Sequence, residues 1–155
     1  MLIIGASEIS HYLAQVASTV DYRVFVCDPR QEYRSAWRVP GTAFVDGMPD
    51  DAVRDFRPDG HTVILAVSHD PKLDDMALLT ALPSEAFYVG AVGSARTSAE
   101  RRKRLASGRL RGPVGLAIGS RPPAEIAVAI LADLIATRNG VALERAPQAS
   151  ERKRA

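Results

Sequence analysis

Three groups of side chains in this 155-residue chain have types and spacings that can do chemistry. The first is Gly5-Ala6-Ser7 with Asp28 and Arg30. A glycine at a strand end, followed by a helix, leaves unpaired amides and a positive dipole end for an anion. An acid about 20 residues further on can accept from a ribose hydroxyl. The second group is Ser68-His69-Asp70, at the end of an apolar run. His69 could act there as acid, base or hydrogen-bond partner, whereas Asp70 before Pro71 reads as a helix N-cap. The third is Gly93-Ser94 with Arg96, a second potential anion-binding turn. No catalytic set is assigned, because no Tyr-x-x-x-Lys pair occurs. No metal site is assigned either, because His11, His61 and His69 are scattered without ligand spacing.

The first group departs from the dinucleotide fingerprint. Where G-x-G-x-x-G is expected, the chain reads Gly5-Ala6-Ser7-Glu8-Ile9-Ser10. Ser7 stands where bare backbone lets pyrophosphate approach, so its side chain either bonds an anion or obstructs it. Ser10 is small enough for close helix–strand packing. Beyond Asp28, Arg30, Arg34 and Arg38 alternate with Tyr33 and Trp37. This is either a basic, aromatic rim for a phosphorylated heterocycle or a solvated loop with one aromatic folded onto the sheet edge.

The elements that must position these groups are legible from periodicity. Met1–Ile4 and Arg23–Cys27 read as strands around a helix striped by Ile9, Leu13, Val16 and Val20. Residues 29–41 read as a loop ended by Pro40-Gly41, followed by a short strand at 42–45 and a helix over 49–56. Thr62–Val67 is apolar enough to be buried on both faces, and as the fourth strand it lies beside the first, across the switch point. A helix runs from Pro71 to Leu82, and strands are expected at 86–92 and 113–118. Thr97-x-x-Glu100 reads as a capping box for the helix carrying Arg101-Arg102-Lys103-Arg104. Those cations point all round a helix with no aromatic ladder, which favours a solvated or partner-facing surface over nucleic acid. A last helix spans 124–138, with Asn139-Gly140 as its stop signal. The reading is an α/β, doubly wound, mostly parallel sheet of about six strands, a single Rossmann-like domain over 1–140 with a polar tail at 141–155.

Composition narrows the function classes. A net charge of +2 gives no electrostatic case for nucleic acid. The single cysteine, Cys27, excludes internal disulfides and suits a reducing compartment. No apolar stretch has membrane-spanning length, and Met1 enters a strand with no room for a signal peptide, so the expected location is cytoplasmic.

With these motifs in order, the chain resembles the C-terminal Rossmann domain of the XdhC/CoxI family, the xanthine dehydrogenase accessory proteins. The matching residues are Ile4-Gly5-Ala6, Cys27-Asp28-Pro29-Arg30, Ser68-His69-Asp70 and Tyr88 to Ser94. The match continues through Arg101 to Leu105, Pro113 to Gly119 and Glu125 to Ile130, and covers about 1–140. The resemblance implies a protein that holds the molybdenum cofactor (molybdopterin) and hands it to a xanthine dehydrogenase-type molybdenum hydroxylase. It implies that Gly5, Asp28, His69, Asp70, Gly93 and Ser94 line the crevice. The family's usual N-terminal domain is not part of this sequence, so any cofactor contact from it is expected to be either absent or supplied by a separate polypeptide. The resemblance also implies a homodimer. Ser7 and Glu8 replace the family's usual glycine and histidine, and a carboxylate at Glu8 would repel a phosphate there. Two other readings stand beside this one: a small NAD(P)-binding oxidoreductase, and a degenerate Rossmann domain serving only as a partner-docking module.

Overall fold

The computed structural model describes residues 1–143. Its sheet has five parallel strands in the order β3-β2-β1-β4-β5, formed by β1 (Leu2–Ile4), β2 (Phe25–Cys27), β3 (Ala43–Phe44), β4 (Val63–Ala66) and β5 (Tyr88–Ala91). The switch point lies between β1 and β4, as the sequence predicts. Ile4 pairs with both Cys27 and Ala66, and Ala66 with Ala91, so the carboxyl ends of four strands finish level. Ligands in open α/β sheets bind beyond such an edge.

Among the described residues, six α-helices connect and cover the strands: α1 (Glu8–Ala17), α2 (Gln31–Ala36), α3 (Pro49–Phe56), α4 (Pro71–Ala81), α5 (Ala95–Arg104) and α6 (Pro123–Arg138). Ile3, Val26 and Leu65 face α1 and α6, packing on Leu13, Ile130 and Leu134. Leu2, Ile4, Ile64 and Val89 face α3 and α4, packing on Val53, Ala77 and Leu78. This alternation along strands buried on both sides explains their near-continuous apolar sequence. In α1 the inward stripe is Ile9, Ser10, Leu13, Ala14 and Ala17, while Val16 points outward. The helix closes into a 3-10 turn over Ser18–Val20.

Three expected elements are corrected. The segment 113–118 is not a sixth strand. Beside β5 the chain makes one isolated bridge, between Gly90 and Arg111, and Pro113 then has no N–H to extend a ladder. The chain turns instead across α6, where the Leu116 amide donates to the Ala129 carbonyl at 3.1 Å. Gly115 makes that crossing possible: its φ is +93°, and a Cβ there would lie 2.9 Å from the Ile130 nitrogen. Second, the expected 29–41 loop contains α2, which buries no residue and so shows no apolar stripe to read. Third, α5 begins at Ala95, capped by Ser94, whose Oγ accepts from the Thr97 amide at 3.1 Å. Thr97 is therefore inside the helix rather than its cap.

The basic run of α5 is mostly turned to structural use. Arg101 is buried, Arg102 donates to the Gly112 carbonyl, and Arg104 donates to Asp75. Arg109 anchors the end of α4 through the carbonyls of Leu82 and Ser84. Of the expected polar tail, Val141–Leu143 carry no helix or strand, and 144–155 lie outside the described residues. No helix among the described residues is long and apolar enough to cross a membrane.

Candidate functional site

The glycine turn after β1 is closed upon itself. Gly5 takes φ +99°, and a Cβ there would lie 2.3 Å from the Ser68 Cα, so the β1 and β4 turns touch directly. Ser7 is the N-cap of α1, its Oγ accepting from the Ser10 amide at 3.3 Å and lying 3.0 Å from the Ser10 hydroxyl. Ser10 in turn donates to the Gly5 carbonyl at 2.5 Å. Both hydroxyls are thus committed inside the turn, and Ser7 neither reaches out to an anion nor lies among the residues of the cleft described below.

Asp28, the expected ribose acid, is equally engaged. One oxygen accepts from the Ala6 amide at 2.8 Å and Arg30 Nη2 at 2.7 Å; the other accepts from Arg30 Nε at 2.9 Å and the Arg30 amide at 3.1 Å. Arg30 also reaches the Ser68 carbonyl at 3.4 Å and covers the Tyr33 ring at 3.9 Å. Burial opposes charge on Asp28, but the bonds from Arg30 and the Ala6 amide outweigh it and hold the carboxyl below its ordinary range. A ribose hydroxyl would have to displace a bidentate guanidinium. The expected basic rim is engaged likewise: Arg34 pairs with Asp46, Arg38 donates to the Trp37 carbonyl, and Trp37 Nε1 donates to Thr42 at 2.9 Å. Cys27 is buried beside Asp28, and burial pushes its thiol up to about 11, so it is no nucleophile.

The open space lies on the other side of the switch point. A cleft of about 540 Å³ is walled by His69 and Pro71 after β4, by Val92, Gly93 and Thr97 after β5, and by the crossing segment 112–120. Ile9 and Ile126 close its back. These lining residues place the first turns of four helices, α1, α4, α5 and α6, around one volume. Helix N-termini carry partial positive charge, which suits an anion where no acid in the first turn offsets it. Three of the four carry an acid in that turn (Glu8, Asp74 and Glu125); α5 carries none.

His69 and Gly93 are the two expected site residues that line this cleft. His69 is exposed and sits at φ +61°, a strained conformation often found at functional turns. Ser94 caps α5, Asp70 caps α4 through Lys72 and Leu73, and Arg96 is exposed in the first turn of α5 outside the lining. Gly5, Ala6, Asp28 and Arg30 form the closed turn instead. Ser68 is buried just beneath His69. Among the described residues, no group of three or more His, Cys, Asp or Glu side chains is placed to hold a metal ion.

Two residues of the cleft floor, Asp74 and Arg101, are not among the expected site residues, and Arg101 is buried although its basic run is expected to be solvated or partner-facing. Asp74 is 1% exposed and accepts from the Ser68 hydroxyl at 2.6 Å and amide at 3.1 Å. Burial pushes its carboxyl above the ordinary range, against the Ser68 bonds and the Arg101 charge. Arg101, 3% exposed, donates to Asp74 at 3.4 Å and to the Val92 carbonyl at 3.2 Å. A signal existed for both: Asp74 falls on the stripe with Ala77, Leu78 and Ala81, and Arg101 falls between buried Ser98 and half-buried Leu105. A charge on an inward face is the informative exception.

Residues 1–134 match the family described as the XdhC Rossmann domain. The chain belongs to the XdhC family. This XdhC domain is 30% identical over 149 residues to a protein of Bacillus subtilis (strain 168) named as a probable xanthine dehydrogenase subunit, covering 92% of the chain and 44% of that protein. It also superimposes on a crystal structure described as a xanthine dehydrogenase from Bacillus halodurans, with TM-score 0.78 and 30% identity. That match covers 90% of the XdhC domain and 44% of the solved chain. The sequence thus spans less than half the length of these relatives.

Proposed function

We propose that this XdhC domain binds the molybdenum cofactor in the β4–β5 cleft and assists its insertion into a xanthine dehydrogenase-type molybdenum hydroxylase. The observation that carries the reading is the convergence of the first turns of four helices on a cleft that combines apolar side chains and glycine-rich backbone with His69, Thr97 and Ser120, over a floor of Asp74 paired with Arg101. Molybdopterin is a flat heterocycle with a phosphate, and the cleft offers each part a matching surface. Val92, Pro113, Val114 and Leu116 suit the ring. The phosphate belongs at the start of α5, the one helix of the four with no acid in its first turn, beside Gly93 and the Thr97 hydroxyl. His69 stands at the rim as a hydrogen-bond partner for polar ring edges. When bound, the cofactor brings the molybdenum centre that the recipient enzyme uses; this chain's own residues bind, orient and shield it. The names of the relatives, both tied to xanthine dehydrogenase, support the recipient's class.

The NAD(P) oxidoreductase reading loses support because the ribose acid is held by Arg30 and the Ser7 hydroxyl is turned inward. Anaerobic titration of the purified chain with molybdenum cofactor, NAD and NADP separates the readings. Saturable one-to-one binding of the cofactor, no response to either nucleotide, and faster activation of a cofactor-free hydroxylase are expected. Nucleotide binding that disappears in Asp28→Ala, with no cofactor binding, would replace this proposal with the oxidoreductase.

A further inference from the structure

The floor of the cleft is a buried ladder of charges that joins its two walls. Asp74, on α4, holds the turn carrying His69 through the Ser68 amide and hydroxyl. Its other oxygen meets Arg101 of α5 at 3.4 Å, and Arg101 also holds the Val92 carbonyl at the end of β5. Asp75 lies 3.1 Å from Arg101 Nε and pairs with Arg104 at the surface. The guanidinium is hydrogen-bonded to two fixed groups, Asp74 and the Val92 carbonyl, while Asp75 lies against its Nε as an ionic neighbour with no hydrogen bond between the two atoms. Together these contacts restrict the orientation of Arg101 and the placement of the helix that bears it. Burying such a carboxylate is costly, and an apolar side chain of similar volume is often at least as stabilising. The charge therefore has a geometric use that stability alone does not explain.

We propose that Asp74 is a positioning residue: paired with Arg101, it fixes the separation between the His69 turn and the start of α5, and thereby the width of the cleft. Gly93 and Thr97 on one wall and His69 on the other are held in register by the link through Ser68, Asp74 and Arg101, while Asp75 joins the same two helices further from the His69 turn through Arg101 and Arg104. Asp75 keeps α5 attached when Asp74 is neutralised, so the effect of losing Asp74 is local. The ligand arm of this inference rests on the cleft being the cofactor site; the geometric arm does not.

The test uses the full chain and three variants, Asp74→Asn, Arg101→Met and the double substitution, with Arg101→Lys as a milder probe that keeps the charge but loses the fork. Hydrogen exchange without ligand is expected to speed up about tenfold in segments 66–72 and 91–98 in each variant, with α1 and α6 unchanged. The double variant is expected to match the worse single one, because both remove the same link. Affinity for the molybdenum cofactor should fall about tenfold in each single variant. Unchanged exchange in the two segments, or a uniform increase through every element that adds in the double variant, would overturn the positioning role. If the unmodified chain binds no molybdenum cofactor, the proposed function fails, while the exchange pattern still decides the inference. If Asp74→Asn does not fold, Arg101→Lys decides it alone: local loosening supports the role and unaltered exchange overturns it.

Discussion

Replacing Gly5 with alanine is expected to lower the free energy of unfolding by about 3 kcal/mol or more. Two effects combine. The backbone sits at φ +99°, which an L side chain adopts only under strain, and the added Cβ would lie 2.3 Å from the Ser68 Cα and 2.6 Å from its nitrogen. The obstacle is backbone, so no rotamer change relieves it. The β4 turn must move, and His69 moves with it. Urea unfolding of Gly5→Ala against the unmodified chain measures the loss, and a change within about 0.5 kcal/mol would show that the two turns do not make this contact.

Removal of the Asp28 carboxylate should cost about 2–3 kcal/mol while leaving ligand affinity intact. The side chain is fully buried; in Asp28→Ala the Ala6 amide and the Arg30 fork lose their acceptor together. The pH dependence has a defined sign. The Asp28 carboxyl titrates below its ordinary range in the folded chain, so its stabilisation is present above the unfolded value of about 3.9 and is lost as pH falls through the folded value. Asp74, raised by burial, works in the opposite sense: its contribution becomes less favourable as pH rises above the unfolded value. The stability gap between the unmodified chain and Asp28→Asn should therefore narrow on acidification. A gap independent of pH would mean that the carboxylate is not held by Arg30.

What the sequence made legible were features written in local pattern. The apolar run 62–67 announces a strand buried on both faces, and the spacing to Asp28 announces the βαβ unit that places β4 beside β1. Asp70-Pro71 announces the start of α4, and the cap is there, on the Lys72 and Leu73 amides. Features that depend on distant partners were not legible. Residues 113–118 have strand composition, yet Gly115 presses against α6 and Pro113 lacks a donor, so packing overrides propensity. Helix α2 lies on the surface with no stripe to announce it. Asp28 and Arg30, two residues apart, read from spacing as two ligand contacts; only the fold shows that they bind each other. The cleft needs the 112–120 crossing segment to become visible, because it supplies a wall that no motif foretells.

The most direct measurement is an amide chemical-shift map of the chain, taken as molybdenum cofactor is added under anaerobic conditions. Binding in the β4–β5 cleft predicts perturbations clustered at His69, Val92–Ser98 and 112–120, with Gly5, Ala6, Asp28 and Arg30 unmoved. Perturbations centred on Gly5–Ser7 and Asp28–Arg30, with the crossing segment silent, would contradict it and return the ligand to the glycine turn.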